Sequence, residues 1–192
     1  VVSPLISLMK DQVDTLVGNG VPAACYNSSL APDQKSAVLA GLRGGTLRLV
    51  YVSPERLVGD GGESFIKLLS TCRVSFVAID EAHCISQWGH DFRPEYRQLG
   101  RLRTLFPDIS LHAYTATATA RVRHDIASQL GLVEPVELVG SFDRPNLIYR
   151  VLARANLKQQ LTDILARHHR QAGIIYCTSR REVDALAAWL RE

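Results

Sequence analysis

The sequence predicts an α/β fold, an open and mostly parallel sheet covered by helices, on three observations. Short runs rich in β-branched and aromatic residues alternate with stretches of helical apolar spacing. The 192 residues are 46% hydrophobic and 21% charged with a mean hydropathy of +0.01, the balance of a globular chain with a sizeable core, which excludes disorder and collagen-like repeats. The longest apolar stretches, such as Val74 to Ile79 interrupted only by Ser75, fall far short of the roughly 18 residues a transmembrane helix needs.

Val1-Val2 reads as the end of a strand. Ser3 then stands as an N-cap and Pro4 at the first position of a helix whose apolar residues are Leu5, Leu8, Met9, Val13, Leu16 and Val17, ended by Gly18 to Gly20. Strands are predicted over 23–26, 47–52, 74–79, 110–115, 136–139, 147–152 and 173–177. Helices are predicted over 32–42, 63–69, 94–106, 119–130, 157–168 and 181–190, and Ser53 before Pro54 is a second N-cap. Gly140 to Asn146 reads as a linker, because glycine and proline break both periodicities there. The boundary near Asp143 divides a first domain, 1–142, from a second, 143–192. A chain that opens in a strand end without Met and stops inside an amphipathic helix at Leu190-Arg191-Glu192 reads as a piece of a longer protein.

Twenty-two basic against nineteen acidic residues leave +3, so any case for nucleic acid must be local. Most of the basic residues are arginine, which suits bidentate phosphate contacts but also follows from a GC-rich genome. Cys25, Cys72, Cys84 and Cys177 are scattered, without a Cys-x-x-Cys pair or a secretory leader. That pattern predicts reduced thiols in a cytosolic protein rather than a disulfide framework or a zinc site.

The chemistry starts at Asp80-Glu81. A buried-strand run delivers two adjacent carboxylates to the carboxyl edge of the sheet, where ligands of this architecture sit. Mg²⁺ takes one or two carboxylates plus substrate phosphates, so Asp80 can hold the ion while Glu81 polarises an attacking water. Trp88 and Phe92 follow among Gln87, Gly89, His90, Asp91 and Arg93 with no helical or strand period. Aromatics on a loop beside arginine suit stacking on bases, whereas core aromatics are the bland reading.

Asp80 to Tyr96, read as DEAHCISQWGHDFRPEY, resembles residue for residue motif II and the aromatic-rich loop of the RecQ family of DNA helicases. In the same order, Ser3 to Gln12 resembles motif Ia, Ser53 to Leu57 the segment after it, and Thr115 to Thr119 motif III. Phe142 to Asn146 resembles the interdomain junction and Ile174 to Arg180 motif IV. The resemblance implies two RecA-like domains, the first lacking its phosphate-loop strand and the second truncated. It implies an ATP-dependent 3′-to-5′ DNA helicase of repair and recombination that uses ATP and Mg²⁺, with Asp80 for the metal, Glu81 for the water and His83 linking the nucleotide site to motif III. Ser3, Pro4, Ser53, Gln87, Trp88, His90, Phe92, Arg93, Thr115 and Thr117 would contact DNA or couple it to the nucleotide.

The implied partners are single-stranded and partially duplex DNA and no membrane, in the nucleoid-bearing cytoplasm of a bacterium or the nucleus of a eukaryote; the oligomeric state stays open. A motor of this family carries a Gly-rich loop ending in Gly-Lys-Ser/Thr, and neither 41–45 nor 59–62 has that ending. The loop would lie upstream of Val1 and the arginine finger beyond Glu192, so the activity belongs to the parent protein and the chain alone is expected not to hydrolyse ATP. A nucleic-acid-binding module without catalysis and a DEAH-type RNA helicase are the rival readings.

Overall fold

Four short strands form two parallel pairs, and a single residue joins them. The computed structural model describes residues 1–192 apart from Asp60, Phe142 and Glu192. Strand β1 (Ala23–Tyr26) pairs with β2 (Leu49–Val52), and β3 (Phe76–Ile79) with β4 (Ser110–Ala113), Ala23 standing opposite Leu49 and Phe76 opposite Ser110. Val2 bridges to Val52 on one side and Ile79 on the other, both in parallel sense. Its amide donates to the Ala78 carbonyl at 2.7 Å and its carbonyl accepts from Asp80 at 2.8 Å. On the other side Val52 donates to Val1 at 2.8 Å and Ser3 to Val52 at 3.1 Å. The expected parallel α/β sheet therefore runs β1, β2, Val1–Ser3, β3, β4.

Helices α1 (Ile6–Gly18), α2 (Pro32–Arg43), α3 (Pro54–Val58), α4 (Gly62–Thr71), α5 (Pro94–Arg97), α6 (Arg101–Leu105) and α7 (Ala120–Gln129) surround this sheet. α1 and α2 pack on β1, α3 on α4, and α7 on the 3₁₀ turn Ala82–Ile85 that follows β3. Ile79, Tyr96, Leu99 and Leu130 are fully buried and centre the core, and Met9 of α1 is buried as well. Three local expectations are corrected. Ser3 is not the cap of α1, since Leu5 holds that position and the Ser3 backbone is spent in the sheet. Ser53 does precede α3, but its side chain makes no capping bond. The helix expected over 94–106 is broken into α5, a 3₁₀ turn Gln98–Gly100 and α6. Gly100 meets the end of α7 there, and a Cβ on it would stand 2.4 Å from the Gln129 carbonyl oxygen.

The chain divides into two compact units, Val1–Leu138 and Val139–Glu192. The second contains α8 (Leu157–Arg167), capped by Asn156, which accepts from the Gln159 amide at 3.2 Å, and α9 (Arg180–Arg191). Within it the Lys158 ammonium lies 5.3 Å over the Trp189 ring. The strands expected over 136–139, 147–152 and 173–177 do not form among the described residues. Leu138, Ile148, Val151 and Tyr176 are exposed, and without a hydrogen-bonded neighbour a β-prone run is not a strand. Phe142, at the expected domain boundary, lies outside the described residues. Among the described residues no helix is long and apolar enough to cross a membrane.

Ile79 is the most central apolar residue of the sheet, buried at the end of β3 beside the Val2 bridge. Ile79→Ala is expected to lower the unfolding free energy by about 2–5 kcal/mol, read from the midpoint of urea denaturation. A loss below about 1 kcal/mol would place the centre of the core elsewhere.

Candidate nucleotide and nucleic-acid site

Strand β3 ends at Ile79, so Asp80 emerges at the carboxyl edge, where its main chain is still held by the sheet. The Asp80 amide donates to Val2 at 2.8 Å, and its carbonyl accepts from the Tyr96 hydroxyl at 2.9 Å. Its carboxylate is aimed by two donors, the Glu81 amide on Oδ1 at 2.9 Å and the Ser3 hydroxyl on Oδ2 at 3.3 Å. Each oxygen keeps acceptor capacity beyond that one bond. Burial raises the Tyr96 hydroxyl far above its usual range, which keeps it a donor to Asp80 at any physiological pH.

Glu81 turns the chain into the 3₁₀ segment with φ 48°, a left-handed conformation that costs a non-glycine residue about 1–2 kcal/mol. The turn sets the Glu81 carboxylate 3.3 Å from His83 Nδ1. The same nitrogen lies 2.7 Å from the Thr115 hydroxyl. That hydroxyl donates to the Thr117 carbonyl at 3.3 Å, so it accepts from His83, and the network assigns the imidazole proton to Nδ1. Burial lowers the His83 pKa, and His90, stacked on it with ring centroids 4.1 Å apart, lowers it further. His83 is therefore a neutral ring at neutral pH that ties the carboxylate turn to the segment after β4.

The following loop folds back on this turn. Ser86 donates to the His83 carbonyl at 3.1 Å, Gly89 to Ser86 at 3.0 Å and Arg93 to Cys84 at 2.9 Å. Only glycine fits at position 89, since a Cβ would stand 2.4 Å from the His83 carbonyl oxygen. Arg93 donates Nε and Nη2 to one oxygen of Asp91, at 3.1 and 2.8 Å, and this bond holds the Asp91 carboxyl below its usual range. Burial first, and then the Asp91 charge, push the Cys84 thiol up to about 11, so it is an inert thiol here.

A cavity of about 340 Å³ opens beside the turn, lined by Pro4, Leu5, Glu81, His83, Cys84, His90, Asp91, Arg93, Ala116 and Thr117. Six expected residues, Pro4, Glu81, His83, His90, Arg93 and Thr117, thus line one cavity. Asp80 and Thr115 stand behind it, joined through Glu81 and His83. Ser3 and Ser53 do not present their side chains to solvent as nucleic-acid contacts would. Both are buried, Ser3 is committed to Asp80, and the Ser53 hydroxyl has no hydrogen-bond partner among the described residues. Gln87 is exposed, and Trp88, 60% exposed, is no core residue. Phe92 is half-buried with the Arg97 guanidinium 5.5 Å from its ring. The residues sequence reasoning passed over are Tyr96, Asp91 and Arg121, whose guanidinium lies 3.4 Å over the Trp88 ring. The one sequence trace of Arg121 was a cation in a first helical turn that holds no acidic residue.

Asp80 and Glu81 are hard oxygen donors, and among the described residues no cluster of three or more His, Cys, Asp or Glu could hold a metal ion. That donor set fits Mg²⁺ held by one or two carboxylates and completed by phosphate oxygens and water. The phosphate cradle Gly-Lys-Ser/Thr does not occur in this sequence.

Comparison with known proteins bears on the same residues. The family model described as DEAD/DEAH box helicase matches residues 1–126. Over all of this chain, the protein named ATP-dependent DNA helicase RecQ from Pasteurella multocida is 51% identical and its namesake from Haemophilus influenzae 49%. The Bacillus subtilis protein of the same name is 43% identical over 97% of the chain. The chain spans about 30% of the length of these bacterial relatives. With residues 1–126 matched, the chain belongs to the DEAD/DEAH box helicases, and over its whole length it is similar to the bacterial proteins named RecQ.

Proposed function

We propose that this chain is part of the motor core of an ATP-dependent DNA helicase, which couples ATP hydrolysis to 3′-to-5′ translocation on single-stranded DNA and to duplex unwinding in repair and recombination. Residues 1–142 belong to the first RecA-like domain and 143–192 begin the second. The observation that carries the reading is the His83 bridge: one neutral imidazole reaches the Glu81 carboxylate at 3.3 Å and Thr115 at 2.7 Å, from a turn that leads directly into the Trp88 loop.

ATP with Mg²⁺, when bound, supplies the phosphoryl group and the charge neutralisation for its transfer to water. Asp80, fixed by Ser3, Tyr96 and the Glu81 amide, is the carboxylate that would hold Mg²⁺. Glu81 orients the attacking water and accepts its proton. His83 gives its Nδ1 proton to Thr115 and lies against the Glu81 carboxylate, so a displacement of the Thr115 to Thr117 segment would shift the ring that packs beside the base. Trp88 and Phe92 offer faces on which bases stack, while Arg93, His90 and Thr117 along the cavity and the exposed Gln87 supply polar groups for DNA. Ser3 acts through Asp80, and Ser53 is buried at the start of α3. The partners are single-stranded and partially duplex DNA, at the nucleoid in a bacterium and in the nucleus of a eukaryote.

In the full-length protein, Glu81→Gln is expected to bind ATP and Mg²⁺ within about threefold of normal while turnover falls about 10²- to 10⁴-fold, because the amide cannot take the water's proton. Hydrolysis near the normal rate, or stimulation by RNA in place of single-stranded DNA, would overturn the reading. Trp88→Ala is expected to leave the melting temperature almost unchanged, since the ring is largely exposed, and to bring the ratio of DNA-stimulated to basal ATPase close to one. A large fall in melting temperature, or an unaltered ratio, would remove Trp88 from DNA sensing.

A further inference from the structure

The Trp88 side chain is exposed, yet it is not free. The Arg121 guanidinium lies 3.4 Å from the ring centroid, the separation of a planar stack, and covers one face of the indole. Arg121 is in the first turn of α7, where the helix dipole opposes a positive charge, and no acidic residue shares that turn. Thr119 caps the helix by accepting from the Val122 amide at 3.3 Å. The other cation of the turn, Arg123, is compensated by Glu137 at 3.0 Å and by the Ala118 carbonyl at 3.1 Å. Arg121 makes no ion pair among the described residues, Asp125 four residues on included, and its guanidinium is seated on the indole face.

We propose that Arg121 is a positioning residue for DNA recognition: it holds the Trp88 ring with one face covered and the other presented to a nucleobase. The proposal rests on the helicase reading above and adds to it a residue outside the loop. An exposed tryptophan on an unsupported loop would lose rotamer freedom on stacking with a base, whereas a ring already stacked on one side has lost it beforehand. The stack also closes a circuit. His83 is bonded to Thr115 at one end of the 115–121 segment, and Trp88 to Arg121 at the other. A base that shifts the indole therefore pushes on the first turn of α7, and through Thr119 to Thr115 on His83, by a route separate from the backbone of the loop.

The test uses the full-length protein carrying Arg121→Ala and Arg121→Lys, with oligothymidylate as the DNA. The tryptophan emission lost in Trp88→Phe isolates the Trp88 signal. Arg121→Ala is expected to increase acrylamide quenching of that signal about twofold and to raise the DNA concentration for half-maximal ATPase stimulation about 3- to 10-fold. Arg121→Lys, which keeps a cation over the ring but not the flat stack, is expected to fall between it and the unaltered protein in both readouts. The melting temperature should hold, since both side chains are exposed. Quenching in Arg121→Ala equal to that of the unaltered protein would overturn the stack. Altered quenching with an unchanged DNA requirement would overturn its role in recognition. Absence of any DNA stimulation in the unaltered protein would overturn the helicase reading, and this inference with it.

Discussion

Two hydrogen bonds from the Val1–Ser3 segment to β3 and its end, and three to β2, turn two separate strand pairs into one sheet, and the placement of the chemistry depends on them. A two-stranded parallel pair is a weak unit, because parallel ladders need burial on both faces and several neighbours. With Val2 between Val52 and Ile79, the carboxyl ends of β2 and β3 are brought level. Ser3 then stands beside Asp80, and Ser53 follows at the next strand end. The site is thus a product of the sheet's register: a slip of one residue at Val2 would reverse the facing of Ser3 and withdraw its hydroxyl from the carboxylate.

The groups at that edge are arranged to hold charge where it is used and to suppress it elsewhere. Asp80 has donors on both oxygens, whereas His83, desolvated and stacked on His90, stays uncharged. Asp91 and Arg93 neutralise one another at the rim, so the loop presents aromatic faces beside a compensated pair rather than a block of positive charge. This agrees with the modest net charge of the chain: under the proposed function, affinity for nucleic acid would come from a few aimed groups and from stacking rather than from a broad electrostatic field.

Much of this was legible in the sequence, and what was not has a common cause. β1 has its expected bounds, and β3 ends where the apolar run ends, because a short β-branched run closed by polar residues is a local property. The position of Asp80 and Glu81 followed from that strand end. The role of Ser3 did not, because its hydroxyl bonds a residue 77 positions away while its sequence neighbour, proline, pointed to a cap. The break of the 94–106 helix at Gly100 is set by the Gln129 carbonyl, also remote in sequence. The segments at 136–139, 147–152 and 173–177 carry the right side chains for strands, but a strand exists only through its neighbour, and the side chains do not report one. Trp88 and Arg121 are each visible as residues, and only the fold puts one over the other.

The left-handed backbone at Glu81 has a bearing on how such a chain can change over evolutionary time. Glycine is the residue that this φ of 48° favours, and it would relieve about 1–2 kcal/mol of local strain. It would also erase the side chain that faces His83. With Glu81 as the base proposed above, selection for a more stable fold and selection for turnover would pull in opposite directions at this one codon. A lineage released from the need for turnover is free to drift toward glycine there, and a lineage that retains glutamate against that gradient carries in its backbone a record of continuous use.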